Sequence, residues 1–192
     1  MKTAIFGGTF NPVHVGHLIM AEEVLAQTDC DKVLFVPANI PPHKEVLDPG
    51  AGFRLEMLRA SLEDNPAFGV SDCEILRTGI SYSIDTIRYL VAAGITEPCP
   101  GLVIGDDLLE GFGGWKEAEA VIRESRIIVV HRSFTKRIAQ RFPHTYVDNI
   151  IFPVSSTLIR ERIRDNKAWR YLVPDAARKI IEAHGLYGLQ AT

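Results

Sequence analysis

The chain is short of cysteine, of long apolar runs and of excess charge, and each shortage closes off a class of protein. Its three cysteines, Cys30, Cys73 and Cys99, are widely spaced and make no Cys-x-x-Cys pair. That argues against a disulfide framework and points to reduced thiols in a cytoplasm. No apolar run is long enough to span a bilayer, so no membrane association is expected. The first residues lead straight into a strand pattern without the apolar core of a signal peptide, which again points to the cytoplasm. Lys plus Arg number 21 against 24 Asp plus Glu, a net charge of −3 that leaves no broad basic face for nucleic acid. There is no internal repeat and no low-complexity stretch. What the chain does have is 46% hydrophobic residues over 192 positions, enough to bury the core of one α/β domain covering residues 1–192.

The rest of the chain is organised around the stretch from Ala4 to Leu18. Ala4, Ile5 and Phe6 read as a short buried strand. Gly7-Gly8 ends it, because glycine takes backbone angles other residues avoid and leaves room beside the chain. Asn11-Pro12 is turn chemistry. A helical pattern starts near Gly16, with Leu18, Ala21, Val24 and Leu25 on one face and Glu22 off it. A glycine-rich turn thus meets a positive helix N-terminus, which suits anionic phosphates. His14 and His17 lie on one face of that first turn. Alone, the pair reads as two surface or half-buried histidines. As a metal site it is short of ligands, with no Cys or carboxylate at ligand spacing nearby. In this strand–turn–helix setting it reads best as a pair that donates hydrogen bonds to a triphosphate while charge develops on it.

The run Gly7-Gly8-Thr9-Phe10-Asn11-Pro12-Val13-His14-Val15-Gly16-His17 resembles the GxFxPxHxGH signature of the nucleotidylyltransferases. The resemblance implies a Rossmann-like α/β fold with a mostly parallel sheet of five or six strands flanked by helices. It also implies transfer of a nucleotidyl group from a nucleoside triphosphate with release of pyrophosphate.

Asp31 to Pro37 reads as a second parallel strand, completing a right-handed βαβ unit whose ligand edge carries the Gly-Gly turn and Pro37. Ala38-Asn39-Ile40-Pro41-Pro42-His43-Lys44 is a stiff loop. By itself it is a connector with an exposed lysine, but it resembles the PxxxPPHK segment of the nicotinate-nucleotide adenylyltransferases, a branch of the same superfamily. That resemblance puts Lys44 on phosphate groups. A helix follows over Phe53–Leu62, with Arg54 and Arg59 read as surface charges. Phe68 to Ile75 reads as a strand or strand pair. The run from Leu76 to Leu90 looks like the branch's ExxRxGxSYTxDTL segment, with Ser83 where Thr is usual. It implies that Tyr82 and Thr86 line a pyridine-nucleotide site, although such hydroxyls otherwise serve as helix caps.

Gly101–Ile104 is a buried strand, and Gly105-Asp106-Asp107-Leu108-Leu109 resembles the IGxDxL motif. Carboxylates there are helix caps or ribose ligands. The resemblance puts Asp107 on the functional position and Asp106 on a position that is usually small. Which of the two touches Mg²⁺ is left open. Trp115, with a helix running on to Ser125, is core by default. After IGxDxL it matches the tryptophan that stacks on the nicotinate ring. Arg126 to Arg132 reads as a buried strand ending in two basic residues, and Arg132 matches an arginine that the family places after this strand, near the acceptor nucleotide, though Ser133-Phe134 replaces the usual Pro-Gly. His131, His144 and His184 belong to no motif. Tyr146–Phe152 reads as a turn and last strand. Ser155, Ser156 and Thr157 then open a helix as caps without a capping box. Their run to Arg160 resembles the ISSTxIR signature, which implies a second phosphate clamp. The ending from Tyr171 to Tyr187 resembles the branch's YLVPxxVxxYIxxxxLY tail.

Together these resemblances imply transfer of adenylyl from ATP, with Mg²⁺ bound to it, to nicotinate mononucleotide. His14, His17 and Lys44 would be catalytic. Gly8, Thr9, Phe10, His17, Gly105, Asp107, Ser155, Ser156, Thr157 and Arg160 would bind ATP. Tyr82, Thr86, Trp115 and Arg132 would bind the nicotinate nucleotide. No dedicated metal site on the chain is expected, and the oligomeric state stays open. Pantetheine-phosphate adenylyltransferase and glycerol-phosphate cytidylyltransferase are the nearer alternatives. A non-catalytic nucleotide sensor and a zinc hydrolase built on the two histidines are the more distant ones.

Overall fold

Strands buried on both faces need no polar alternation, and the apolar runs at the centre of this chain form such strands. The computed structural model describes residues 1–41, 49–132, 137–138 and 140–189. Its sheet has six strands: β1 (Thr3–Gly8), β2 (Lys32–Pro37), β3 (Phe68–Val70), β4 (Gly101–Gly105), β5 (Arg126–Val130) and β6 (His144–Val147). They lie in the order β3-β2-β1-β4-β5-β6, and every pairing is parallel. This is a doubly wound Rossmann-like sheet, whose order reverses between β1 and β4.

The side-chain period of two sorts each strand between two cores. Ala4 and Phe6, Val33 and Phe35, Val103, and Ile128 and Val130 face one cluster. Helices α1 (Val15–Gln27), α2 (Ala51–Leu62), α6 (Ser156–Arg164) and α7 (Asp175–His184) cover it with Met20, Val24, Met57, Leu58, Ile159 and Ile181. Ile5, Leu34 and Val36, Leu102 and Ile104, and Ile127 and Val129 face the other cluster. There α3 (Cys73–Arg77), α4 (Ser83–Ala92) and α5 (Ala118–Glu124) supply Cys73, Ile84, Ile87, Leu90 and Val121.

Several boundaries differ from the sequence reading. The stretch expected as strand to Ile75 stops at Val70 and turns into α3. The last strand lies earlier than expected, at His144–Val147, and residues 148–155 run without regular structure. Helix α5 starts at Ala118 rather than at Trp115, because Glu117 takes a left-handed φ of 52°. The largest reversal is Arg54, read as a surface charge, which is only 1% exposed.

Candidate functional site at the sheet switch point

The C-terminal ends of β1 and β4 flank the crevice where sheets of this order bind ligands. At the end of β1 the main chain of Gly7 is exposed, and a Cβ there would meet nothing within 4 Å. A Cβ on Gly8 would instead lie 2.9 Å from the Phe10 ring. Phe10 itself sits at φ 48°, a left-handed angle that costs a non-glycine residue about 1 kcal/mol. Burial of its ring against Phe6 and His17 outweighs that cost, with centroids at 5.8 and 4.9 Å.

His14 precedes α1, and His17 lies in its first turn. Their rings stack with centroids 3.6 Å apart and 25° between planes. His17 Nδ1 accepts the backbone N–H of His14 at 3.2 Å. That bond fixes the tautomer: the neutral His17 ring carries its hydrogen on Nε2. Burial, aided by the charge of Arg132, lowers the His14 pKa to about 3. Burial holds His17 well below the ordinary histidine value too, with His14 and Arg132 adding to the effect. Both rings are therefore neutral at pH 7 and act as N–H donors rather than as cations. His14 Nδ1 is buried with no hydrogen-bond partner among the described residues.

The turn between β1 and α1 is held from three sides. The Arg54 guanidinium donates to the carbonyls of Thr9 at 2.9 Å, Ala38 at 2.6 Å and Asn39 at 3.3 Å, joining the turns after β1 and β2. From α6, Ser156 Oγ donates to the Pro12 carbonyl at 2.9 Å, and Arg160 Nη1 donates to the Asn11 carbonyl at 2.7 Å. From the tail, Tyr187 OH donates to Asn11 Oδ1 at 2.8 Å. Ser155 caps α6, accepting the Leu158 N–H at 3.1 Å, and Arg160 Nη2 donates to Thr157 Oγ1 at 3.2 Å.

At the end of β4 the two adjacent carboxylates do different work. Asp106 is fully buried; its Oδ1 accepts the Arg132 N–H at 3.0 Å and its Oδ2 faces His131 Nδ1 at 3.3 Å. Asp107 is partly exposed and pairs with Arg132 Nη1 at 3.3 Å. A Cβ on Gly105 would overlap Asp107 Oδ1 and come within 2.8 Å of Arg132 Cδ, so glycine makes the room for this pair.

A second wall lies on the α4 side. The Tyr82 ring lies 4.9 Å under Lys116 Nζ, which pairs with Asp85 at 2.9 Å. Trp115 packs against Phe112, with centroids 4.9 Å apart. The main chain after β2 is tied to this wall, since Ser81 N–H donates to the Ile40 carbonyl and Asn39 N–H donates to Ser81 Oγ, both at 2.9 Å. Thr86 is buried, donating to the Glu74 carboxylate and accepting from Arg77 Nη2 at 3.2 Å. Burial raises the Glu74 pKa, against the hydrogen bonds that Thr86 and Ser81 give it.

Known proteins match this arrangement in sequence and in fold. The cytidylyltransferase-like family model matches residues 5–162. A Borrelia hermsii protein named "Probable nicotinate-nucleotide adenylyltransferase" is 39% identical over 187 residues, covering 97% of this chain and 98% of that protein. The nicotinate-nucleotide adenylyltransferase of Bacillus subtilis is 38% identical over 187 residues, covering 97% and 98%. The chain belongs to the nicotinate-nucleotide adenylyltransferase family. In fold it is similar to Plasmodium falciparum nicotinic acid mononucleotide adenylyltransferase complexed with NaAD. The TM-score is 0.81 at 17% identity, with 100% of both chains covered.

Against the family's motifs, the structure brings Gly8, Thr9, His14, His17, Ser155, Ser156, Thr157 and Arg160 to one place, the α1–α6 junction beside β1. Gly105, Asp107 and Arg132 meet at the neighbouring end of β4. Tyr82 and Trp115 pack on the second core cluster. Phe10 and Thr86 point inward at 1% and 2% exposure, so Phe10 presents main chain rather than ring. Lys44 lies outside the described residues. Sequence reasoning gave no part to Arg54, Asn11, Tyr187, Glu74 or the His131–Asn149 pair. Arg54 left a trace, since it shares the helical stripe of Met57 and Leu58. Asn11, Glu74 and Tyr187 fall within motifs, but their partners do not show in the sequence, and the His131–Asn149 pair left no trace.

Proposed function

We propose that this chain transfers the adenylyl group of MgATP to nicotinate mononucleotide, forming nicotinate adenine dinucleotide and pyrophosphate. A 5′-phosphate oxygen of the acceptor attacks the α-phosphorus of ATP. The bond from that phosphorus to the oxygen bridging to the β-phosphate breaks, and pyrophosphate leaves with its electron pair. In-line positioning and charge stabilisation suffice, so no covalent enzyme intermediate forms. The observation that carries this reading is the neutral, stacked His14–His17 pair at the α1 N-terminus, beside the open main chain of Gly7. Two ring N–H donors there gain most as negative charge builds on the phosphates.

Gly8, Thr9 and the main chain of Phe10, with Gly105 and Asp107, take the adenosine. The α6 N-terminus with Ser155, Ser156, Thr157 and Arg160 holds the triphosphate, and Ser156 and Arg160 also hold the Asn11-Pro12 turn. Lys44 and Arg132 add positive charge. Tyr82, Thr86 and Trp115 form the acceptor wall. Bound with ATP, Mg²⁺ would supply charge screening on its phosphates, beside the residues that hold the triphosphate. The activity occupies one domain, residues 1–192, working in the cytoplasm, where ATP and reduced thiols coexist.

The test is pyrophosphate release from MgATP with nicotinate mononucleotide, nicotinamide mononucleotide, phosphopantetheine or no acceptor. Fast release with the nicotinate nucleotide alone is expected. Equal rates with both mononucleotides would keep the reaction and widen its acceptor range. Release with phosphopantetheine, or ATP binding without release, would overturn the reading.

A further inference from the structure

We propose that Asp106 and His131 form a buried positioning pair that sets the direction of Arg132, and that this pair sustains turnover by placing the Arg132 guanidinium over the reacting phosphates. The proposal rests on the adenylyl-transfer reading above. Asp106 is 0% exposed; its Oδ1 accepts the Arg132 N–H and its Oδ2 faces the His131 ring. A buried carboxylate is expensive unless it is hydrogen-bonded, so these bonds fix where it sits. The His131 ring lies between two carboxylates, with Nδ1 3.3 Å from Asp106 and Nε2 3.7 Å from Asp148.

His131 is in turn held by Asn149, which accepts its N–H at 2.7 Å and donates to its carbonyl at 2.8 Å, and by the Tyr146 ring stacked at 5.2 Å. The end of β5 is thereby locked at both residues. The Arg132 side chain leaves that anchor across Gly105, and Asp107 accepts from its guanidinium. The same guanidinium is close enough to act on the charge of both His14 and His17. One carboxylate of the Asp106-Asp107 pair thus anchors the main chain of Arg132, and the other holds its guanidinium.

A misplacement of about 1 Å at a reacting centre costs up to ~100-fold in rate. Asp106→Ala should therefore lower kcat by ~10-fold or more, with the KM for ATP and for nicotinate mononucleotide changed less than ~3-fold. Asp106→Asn keeps an acceptor for the Arg132 N–H and should recover most of that loss. Adding Asp106→Ala to Arg132→Ala should cost nothing further, because there is no guanidinium left to aim. Thermal unfolding of each variant keeps stability separate from rate. If Asp106→Ala melts lower but turns over like the wild type below its melting point, the pair is structural only and the proposal fails. It also fails if the Asp106→Ala loss persists undiminished in the Arg132→Ala background. Wild-type protein run alongside separates the two readings: no pyrophosphate from it would overturn the functional reading, whereas an unchanged kcat in Asp106→Ala overturns only this one.

Discussion

At Arg54 one side chain hydrogen-bonds main-chain carbonyls of three residues, Thr9, Ala38 and Asn39, in the two turns that border the crevice. An unsatisfied buried carbonyl costs about 1–3 kcal/mol. Arg54→Met keeps the stem and strands these groups, so a loss of about 3 kcal/mol or more in urea unfolding is expected. That is survivable against a usual stability of ~5–15 kcal/mol, and kcat should fall with it. A change under ~0.5 kcal/mol would mean water replaces the guanidinium. His17→Ala is the chemical counterpart, because it deletes a ring donor whose tautomer the His14 N–H fixes. It should cut kcat at least ~100-fold with the fold intact. A near-wild-type rate would remove His17 from the mechanism. The histidines were legible in the sequence because their motif is contiguous. The neutral state of their rings was not, since it comes from burial and from Arg132, more than a hundred residues away.

At the scale of elements, the Ser-Ser-Thr run announced a capped helix, and Ser155 caps α6 with its own side chain. What the sequence could not announce is where that helix docks. Ser156 meets Pro12 across a separation of 144 residues, and Tyr187 meets Asn11 across 176. The misread stretch after Phe68 has a related cause. Its apolar residues fit a strand, but pairing with β2 covers only Phe68–Val70, and α3 then buries Cys73 and Glu74. The tail contact gives a prediction at this scale. Tyr187→Phe removes one hydroxyl and leaves the ring packed, at a cost of about 1 kcal/mol. If the tail holds the phosphate turn in place, kcat should fall ~3–10-fold with little change in the KM for nicotinate mononucleotide. An equal loss in thermal stability with unchanged kcat would reduce Tyr187 to a packing residue.

For the whole molecule, the two cores on opposite sheet faces were readable from the consecutive apolar residues of the central strands, because a parallel sheet buries both sides. The cost of seating two imidazoles in that interior was not readable, and it ties stability to pH. In the unfolded chain a histidine titrates near 6.5, whereas folded His14 titrates at about 3 and His17 also falls well below the ordinary value. Between these values the unfolded chain binds more protons than the folded one, so stability rises with pH in that window. The full stability is present above about pH 6.5. It is lost as pH falls toward the folded pKa, at roughly 1.4 kcal/mol per pH unit for each buried ring. At pH 4.5, His14 alone then accounts for about 3 kcal/mol, comparable with the Arg54 hydrogen bonds. Urea unfolding of wild type at pH 7.5, 6.0 and 5.0 should show a falling free energy. In a His14→Asn/His17→Asn double variant the same series should be flatter by up to roughly 2.8 kcal/mol per pH unit below pH 6. Parallel slopes in the two proteins would mean the rings protonate in place without unfolding, and their neutrality would no longer support a role as N–H donors.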